Sequence, residues 1–155
     1  MGTPLLKTSK IMKQPKFRSG LEKEIASLLT QAGIQYRHES ETLRYNVPAV
    51  TRKYLPDFVL LKCPVLVVEA KGRFTSADRQ KMLLVKQQHP TRTIVIIFGR
   101  SQNTLSKKSK TTYGEWTTKN GIKWIDIKQL KQDPTCLLRL KTINGQSSNQ
   151  PTKKS

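Results

Sequence analysis

The chain has 155 residues, enough for one domain with a real core. Its 29 Lys and Arg against 10 Asp and Glu leave a net charge of +19, a field that draws polyanions and makes nucleic acid the expected partner. No apolar run approaches the ~20 residues of a membrane helix, and two scattered cysteines, Cys63 and Cys136, with two histidines exclude a spaced zinc cluster, so a reduced, soluble, cytoplasmic protein is expected.

Residues 1–15 carry Lys and Pro without periodicity and are predicted to be a flexible basic arm. Ser19-Gly20-Leu21-Glu22 opens the first helix, with Ser19 as cap and Glu22 placed to close a capping box. Leu21, Ile25, Leu28, Leu29 and Ala32 give its apolar stripe, and Gly33 ends it. Leu43, Tyr45 and Val47 alternate as in a half-buried strand. Pro48 interrupts, so residues 46–54 are assigned to a bridging segment rather than a central strand. Pro56 to Leu61 and Val65 to Ala70 are apolar strands joined through Lys62-Cys63-Pro64. Ser76 to His89 is a helix stopped by Pro90, and Thr93 to Phe98 is a strand buried on both faces. Thr112 and Glu115 form a second capping box before a short helix that ends at Gly121. Ile122 to Ile125 is the last strand, and Asp126 caps a final helix to about Leu130. Residues 143–155 form a polar, low-complexity tail. The fold class is α/β, with a mixed central sheet flanked by helices over residues 16–142.

Three charged side chains stand out in the most apolar stretch: Asp57, Glu69 and Lys71. A turn aspartate and a strand-end ion pair would be the bland explanation. Yet charges at the ends of buried strands cost free energy unless paired or bound to metal. The period of two puts Glu69 and Lys71 on one face of their strand. Two carboxylates on adjacent strands, with the Ala70 carbonyl between Glu69 and Lys71, offer oxygen ligands to Mg2+. A lysine beside them can neutralise charge developing on phosphorus. That combination points to metal-dependent phosphodiester hydrolysis. A third carboxylate from the preceding helix would serve a second ion, and spacing leaves Glu22 and Glu24 both open.

Asp57 followed by Glu69-Ala70-Lys71 resembles the Asp…Glu-x-Lys core of the restriction-endonuclease-like nuclease superfamily. The words around it are more specific. Phe17-Arg18-Ser19-Gly20-Leu21-Glu22, Tyr54-Leu55-Pro56-Asp57-Phe58, Glu69-Ala70-Lys71-Gly72, Gln88-His89-Pro90, Tyr113-Gly114-Glu115 and Gly121-Ile122-Lys123, in that order from about Lys16 to Asp126, resemble the phage endonuclease I family of Holliday-junction resolvases. The resemblance implies a restriction-endonuclease-like fold and catalytic residues Glu22, Asp57, Glu69 and Lys71. It implies Mg2+, with Mn2+ as a substitute, and two ions per site. One would sit on Asp57, Glu69 and the Ala70 carbonyl, the other between Asp57 and Glu22. It also implies an intertwined, strand-swapped homodimer, with Glu22 from one subunit facing Asp57, Glu69 and Lys71 of the other and residues 46–54 as the bridge. The substrate would be branched DNA, cut in the host cytoplasm. One departure is a Val59–Val68 connection about two residues longer than the family usually has.

Arg18, Arg73, Arg79, Lys81, Lys86, Lys107, Lys108 and Lys110 are candidate phosphate contacts. His38 and His89 stand isolated in sequence, and Trp116 and Trp124 are assigned to packing. The alternatives to a junction-cutting enzyme are a non-catalytic basic nucleic-acid-binding protein and a restriction or repair nuclease that cuts ordinary duplex.

Overall fold

A computed structural model describes residues 15–47 and 49–140. The predicted arm, apart from Pro15, the predicted tail and Pro48 lie outside the described residues. The elements are α1 (Gly20–Gln31), β1 (Tyr36–His38), β2 (Leu43–Val47), β3 (Val50–Tyr54), β4 (Phe58–Leu60), β5 (Cys63–Lys71), α2 (Ser76–Gln88), β6 (Thr93–Phe98), α3 (Tyr113–Lys119), β7 (Lys123–Asp126) and α4 (Ile127–Gln132). A 3₁₀ segment, Pro134–Leu140, follows α4. One sheet runs β1-β4-β5-β6-β7, and β2 and β3 form a separate hairpin. The β1–β4 and β4–β5 pairs are antiparallel, while β5–β6 and β6–β7 are parallel. The expected mixed α/β sheet is therefore present.

Alternation along the strands builds two cores. Leu66, Val68, Val95 and Ile97 face Ile25, Leu29 and Leu130 of α1 and α4. Val67, Ile94, Ile96 and Phe98 face Met82 and Val85 of α2, with Phe74, Tyr54 and Ile122. This is why Thr93–Phe98 reads as an unbroken apolar run: both of its faces are covered.

The helix caps follow the sequence closely. Ser19 accepts from the Glu22 amide, Thr112 and Glu115 close a capping box, and Asp126 caps α4. Gly33 adopts φ +68, the left-handed conformation suited to a helix exit. Gly114 lies under Trp124, and a β-carbon there would come within 2.6 Å of the indole ring.

Three expectations are corrected. Glu22 does not close its capping box on the Ser19 amide; its carboxylate turns to His38, the Ser19 hydroxyl and the Arg18 amide. The turn after β4 is Leu61-Lys62, one residue tighter than expected, with a register shift at Val59/Leu60. Residues 50–54 are a strand: β3 folds back on β2, from Val47↔Val50 to Leu43↔Tyr54. Only Tyr54 of β3 is buried, so its sequence shows little apolar alternation, and pairing with β2 supplies the order. The hairpin turns through Ala49, which takes a left-handed φ of 75°. It is tied down by Gln88, whose side chain accepts from the Asn46 amide and donates to the Asn46 carbonyl.

Candidate active site

The site forms where the two layers meet at the C-terminal end of β5. The β4–β5 ladder pairs Phe58 with Val68. Just beyond it, Asp57 Oδ2 accepts from the Ala70 amide at 2.8 Å. Asp57 thus takes over an amide that the ladder leaves unpaired, which fixes its carboxylate beside Glu69. Glu69 points to the α2 side, where buried Tyr54 donates to its Oε2 at 2.8 Å. Lys71, on the same face, places Nζ 3.1 Å from Glu69 Oε1 and 3.0 Å from Asp78 Oδ1. Asp78 also closes the capping box of α2 on Thr75. From the other side, α1 brings Glu22 in, buried and 2.9 Å from His38 Nε2.

Glu22, Asp57, Glu69, Ala70 and Lys71 consequently line one cleft with Arg18, Glu39, Lys53, Tyr54 and Lys81. All four predicted catalytic side chains come from a single chain in this structure. Another cavity, about 500 Å3 between Leu83, Lys86, Arg92 and Ile122 at the opposite end of β6, has no carboxylate in its lining.

The electrostatics of the cleft are unbalanced. Burial, and then the charge of Glu69, push the Asp57 carboxyl up to about 7. Burial opposes ionisation of Glu22, but hydrogen bonds from His38, Ser19 and Arg18 outweigh it and hold its carboxyl below the usual range. Burial disfavours the Lys71 ammonium, yet Glu69 and Asp78 hold its pKa above the ordinary value. Burial, reinforced by Glu69, drives the Tyr54 phenol well above its ordinary value, so it stays a hydrogen-bond donor. A carboxyl pushed towards neutrality by burial and then by a neighbouring carboxylate marks a place that a cation would suit. The donor set of carboxylates and the Ala70 backbone fits a hard divalent cation.

Of the predicted phosphate contacts, Arg18 and Lys81 line the cleft. Lys81 lies over the Tyr54 ring, 5.4 Å from its centroid. Arg79 is engaged elsewhere, donating to the Phe74 carbonyl and lying over Trp116. Lys86 reaches the Asn120 carbonyl, away from the cleft. Arg73 is exposed just after β5. Lys107, Lys108 and Lys110 are exposed on a loop that follows β6 and is closed by the Leu105 amide on the Thr111 carbonyl. His89 meets the Arg44 carbonyl, and both tryptophans pack, Trp116 on Phe74 and Trp124 on Phe98.

Sequence reasoning missed His38, Glu39, Lys53 and Asp78, and gave Tyr54 no role. Tyr54 had a signal, since it stands three residues before Asp57 as the one aromatic residue of the Val50–Tyr54 segment. Asp78 had a weaker one, as an acid three residues after Thr75. His38 had none, because its partner Glu22 is 16 residues away.

A family model described as phage endonuclease I matches residues 3–147. The chain belongs to the phage endonuclease I family. Among this family's relatives, it is 42% identical over 116 residues to Endonuclease I of Escherichia phage T7, covering 75% of this chain and 76% of that one. It is 40% identical over 110 residues to Endodeoxyribonuclease 1 of Enterobacteria phage T3, covering 71% of each. The words that first suggested phage endonuclease I, from Phe17 to Lys123, fall within the matched span.

Proposed function

We propose that this chain is a metal-dependent, structure-selective DNA endonuclease that nicks opposed strands of four-way junctions and other branched DNA by hydrolysis. The observation that carries the reading is the convergence of three carboxylates and a lysine on one cleft, with Asp57 pushed up to about 7 by burial and by Glu69, in a chain of net charge +19. The printed names of the two relatives, an endonuclease and an endodeoxyribonuclease, support DNA as the substrate.

Asp57, Glu69 and the Ala70 carbonyl would hold one ion, and Asp57 with Glu22 a second. Bound there, Mg2+ supplies polarisation of the phosphate and a more acidic water. The chain's own residues do the rest. Tyr54 fixes one oxygen of Glu69, leaving the carboxylate a single orientation. Glu69 and Asp78 hold Lys71 extended and charged at the edge of the cleft, where its ammonium can neutralise a phosphate oxygen as the P–O bond breaks. Lys53, Lys81 and Arg18 favour a polyanion at the mouth. Reliance on phosphates rather than base edges predicts little sequence preference.

The working unit in this reading is an intertwined homodimer. The turn between β2 and β3 supports it: a non-glycine residue at φ 75° is strained, and opening the hairpin towards a second copy releases that strain. Exchange at 46–54 rebuilds the same cleft with Glu22 from the partner subunit. Two sites on a symmetric body suit a substrate in which two strands must be cut.

The test is cleavage of a supercoiled cruciform plasmid with and without Mg2+. Asp57→Ala and Glu69→Ala should lose cleavage and keep junction binding in a gel shift. Full activity in either variant sinks the assignment. Competition by excess linear duplex should not suppress junction cleavage; strong suppression favours an enzyme of ordinary duplex. Mixing Glu22→Ala subunits with Lys71→Ala subunits should restore single nicking, because an exchanged heterodimer keeps one intact site. Complete inactivity of the mixture refutes sharing between subunits.

A further inference from the structure

Glu22, His38 and Glu39 bring an imidazole and two carboxylates together at the wall of the cleft. One ligand atom from each lies within 4.8 Å of the other two. His38 Nε2 and Glu22 Oε2 are 2.9 Å apart. Two donors each about 2.1 Å from an ion lie about 3.0 Å apart in octahedral and about 3.4 Å apart in tetrahedral geometry, so this pair needs to open by at most about half an ångström to become neighbouring ligands. The imidazole is nearly sealed from solvent, its side chain 5% exposed. Its ring packs edge-on against Phe17 and Phe58, which leaves it no freedom to leave Glu22.

Glu39 is held there at a cost. Its φ is +45°, a left-handed conformation unfavourable for a side chain of this size, and its amide donates to the Asp57 carbonyl at 3.1 Å. Its carboxylate is paired with the Arg18 guanidinium, 73% exposed and free to swing away into solvent.

We propose that Glu22, His38 and Glu39 form a binding site for a first-row transition cation of the Zn2+ or Fe2+ class. Imidazole nitrogen suits these ions, whereas Mg2+ prefers oxygen ligands and keeps its waters. The site differs in ligand chemistry from the all-oxygen set of Asp57, Glu69 and the Ala70 carbonyl. It shares Glu22 with the cleft and rests on the active-site reading through that residue alone. An ion there clamps Glu22 to β1 and adds positive charge on the side of the cleft where Asp57 is crowded by acids. Arg18 competes for Glu39 and tunes the affinity.

The chain has two histidines, so imidazole nitrogen spectra report the site directly, with His89 as internal control. Titrate the full chain with Zn2+ and, separately, with Mg2+. One equivalent of Zn2+ should move His38 Nε2 to the chemical shift of a metal-bound nitrogen and leave His89 unmoved; Mg2+, even where it draws Glu22 away, should give neither histidine the shift of a metal-bound nitrogen. By calorimetry, Zn2+ affinity should fall at least about tenfold in His38→Gln and in the more exposed Glu39→Gln, as expected even for a residue that only supports a ligand. It should rise in Arg18→Gln and survive in Asp57→Asn. The proposal is overturned if His38 does not move, if both histidines move together, or if affinity follows Asp57→Asn and ignores His38→Gln. Loss of junction cleavage with His38 still binding Zn2+ would refute the nuclease reading alone. Mg2+-dependent cleavage with an unmoved His38 would refute this site alone.

Discussion

Replacing Asp57 by Asn should make the metal-free protein more stable while abolishing cleavage. The Asp57 carboxyl titrates near 7 in the folded chain because burial, Glu69 and Glu22 oppose its charge, against an ordinary value of 3.8. The sign follows from linkage: the folded pKa is raised, so the stabilising contribution is fully present below about pH 4 and is lost as pH climbs through 7. Each unit is worth about 1.4 kcal/mol, which sets an upper bound of about 4 kcal/mol at pH 8. Asparagine removes the charge and keeps an oxygen for the Ala70 amide. Water in the open cleft trims the gain to about 2–4 kcal/mol, roughly 5–15 °C in Tm for a domain of this size. The assay is thermal and urea unfolding of wild type and Asp57→Asn in EDTA at fixed protein concentration, from pH 4 to pH 8. The gap should be widest at pH 8 and close near pH 4. Mg2+ at pH 8 should stabilise the wild type and leave the variant unmoved. A variant less stable than wild type at pH 8 without metal, or a gap that ignores pH, would refute the account of a cleft short of positive charge.

Asp78→Ala should release Lys71 and remove the carboxylate that accepts from the Thr75 amide, the reciprocal half of the capping box; cleavage kcat should drop about tenfold or more with little change in KM, and unfolding should report a loss of about 1 kcal/mol. Unchanged kcat would remove Asp78 as the anchor of the lysine. Gly114→Ala drives a methyl into Trp124 and should cost about 1–3 kcal/mol in urea denaturation, with Trp124 fluorescence perturbed. Ala49→Gly relieves a left-handed turn worth about 1–2 kcal/mol; sedimentation should show it shifted towards monomer relative to wild type, and an unchanged distribution would separate turn strain from exchange.

Much of the site's skeleton is legible in the chain itself. The Thr112–Glu115 box, the Asp126 cap and the Thr93–Phe98 strand are local codes, written within a few residues or in an unbroken apolar run. Alternation along β5 was enough to put Glu69 and Lys71 on one face, and the motif words were enough to suggest the family. Local codes fail where the partner is distant. Residues 50–54 carry one buried side chain, and their strand exists only because β2 lies beside it. Glu22 has the spacing of a capping-box glutamate, yet its carboxylate is better satisfied by a histidine that arrives from β1.

The sequence by itself singled out Asp57, Glu69 and Lys71, because charge in an apolar stretch demands a reason that composition and periodicity already expose, while the choice of Glu22 over Glu24 came from the family resemblance. Only the tertiary structure decided what surrounds them. Tyr54, Asp78 and His38 lie 7 to 16 residues from the groups they hold, and the contacts appear once β1, β3 and α2 are packed round the end of β5. The shift of Asp57 to about 7 is of the same kind: it comes from burial and from the charges of Glu69 and Glu22, quantities that packing creates and no spacing records.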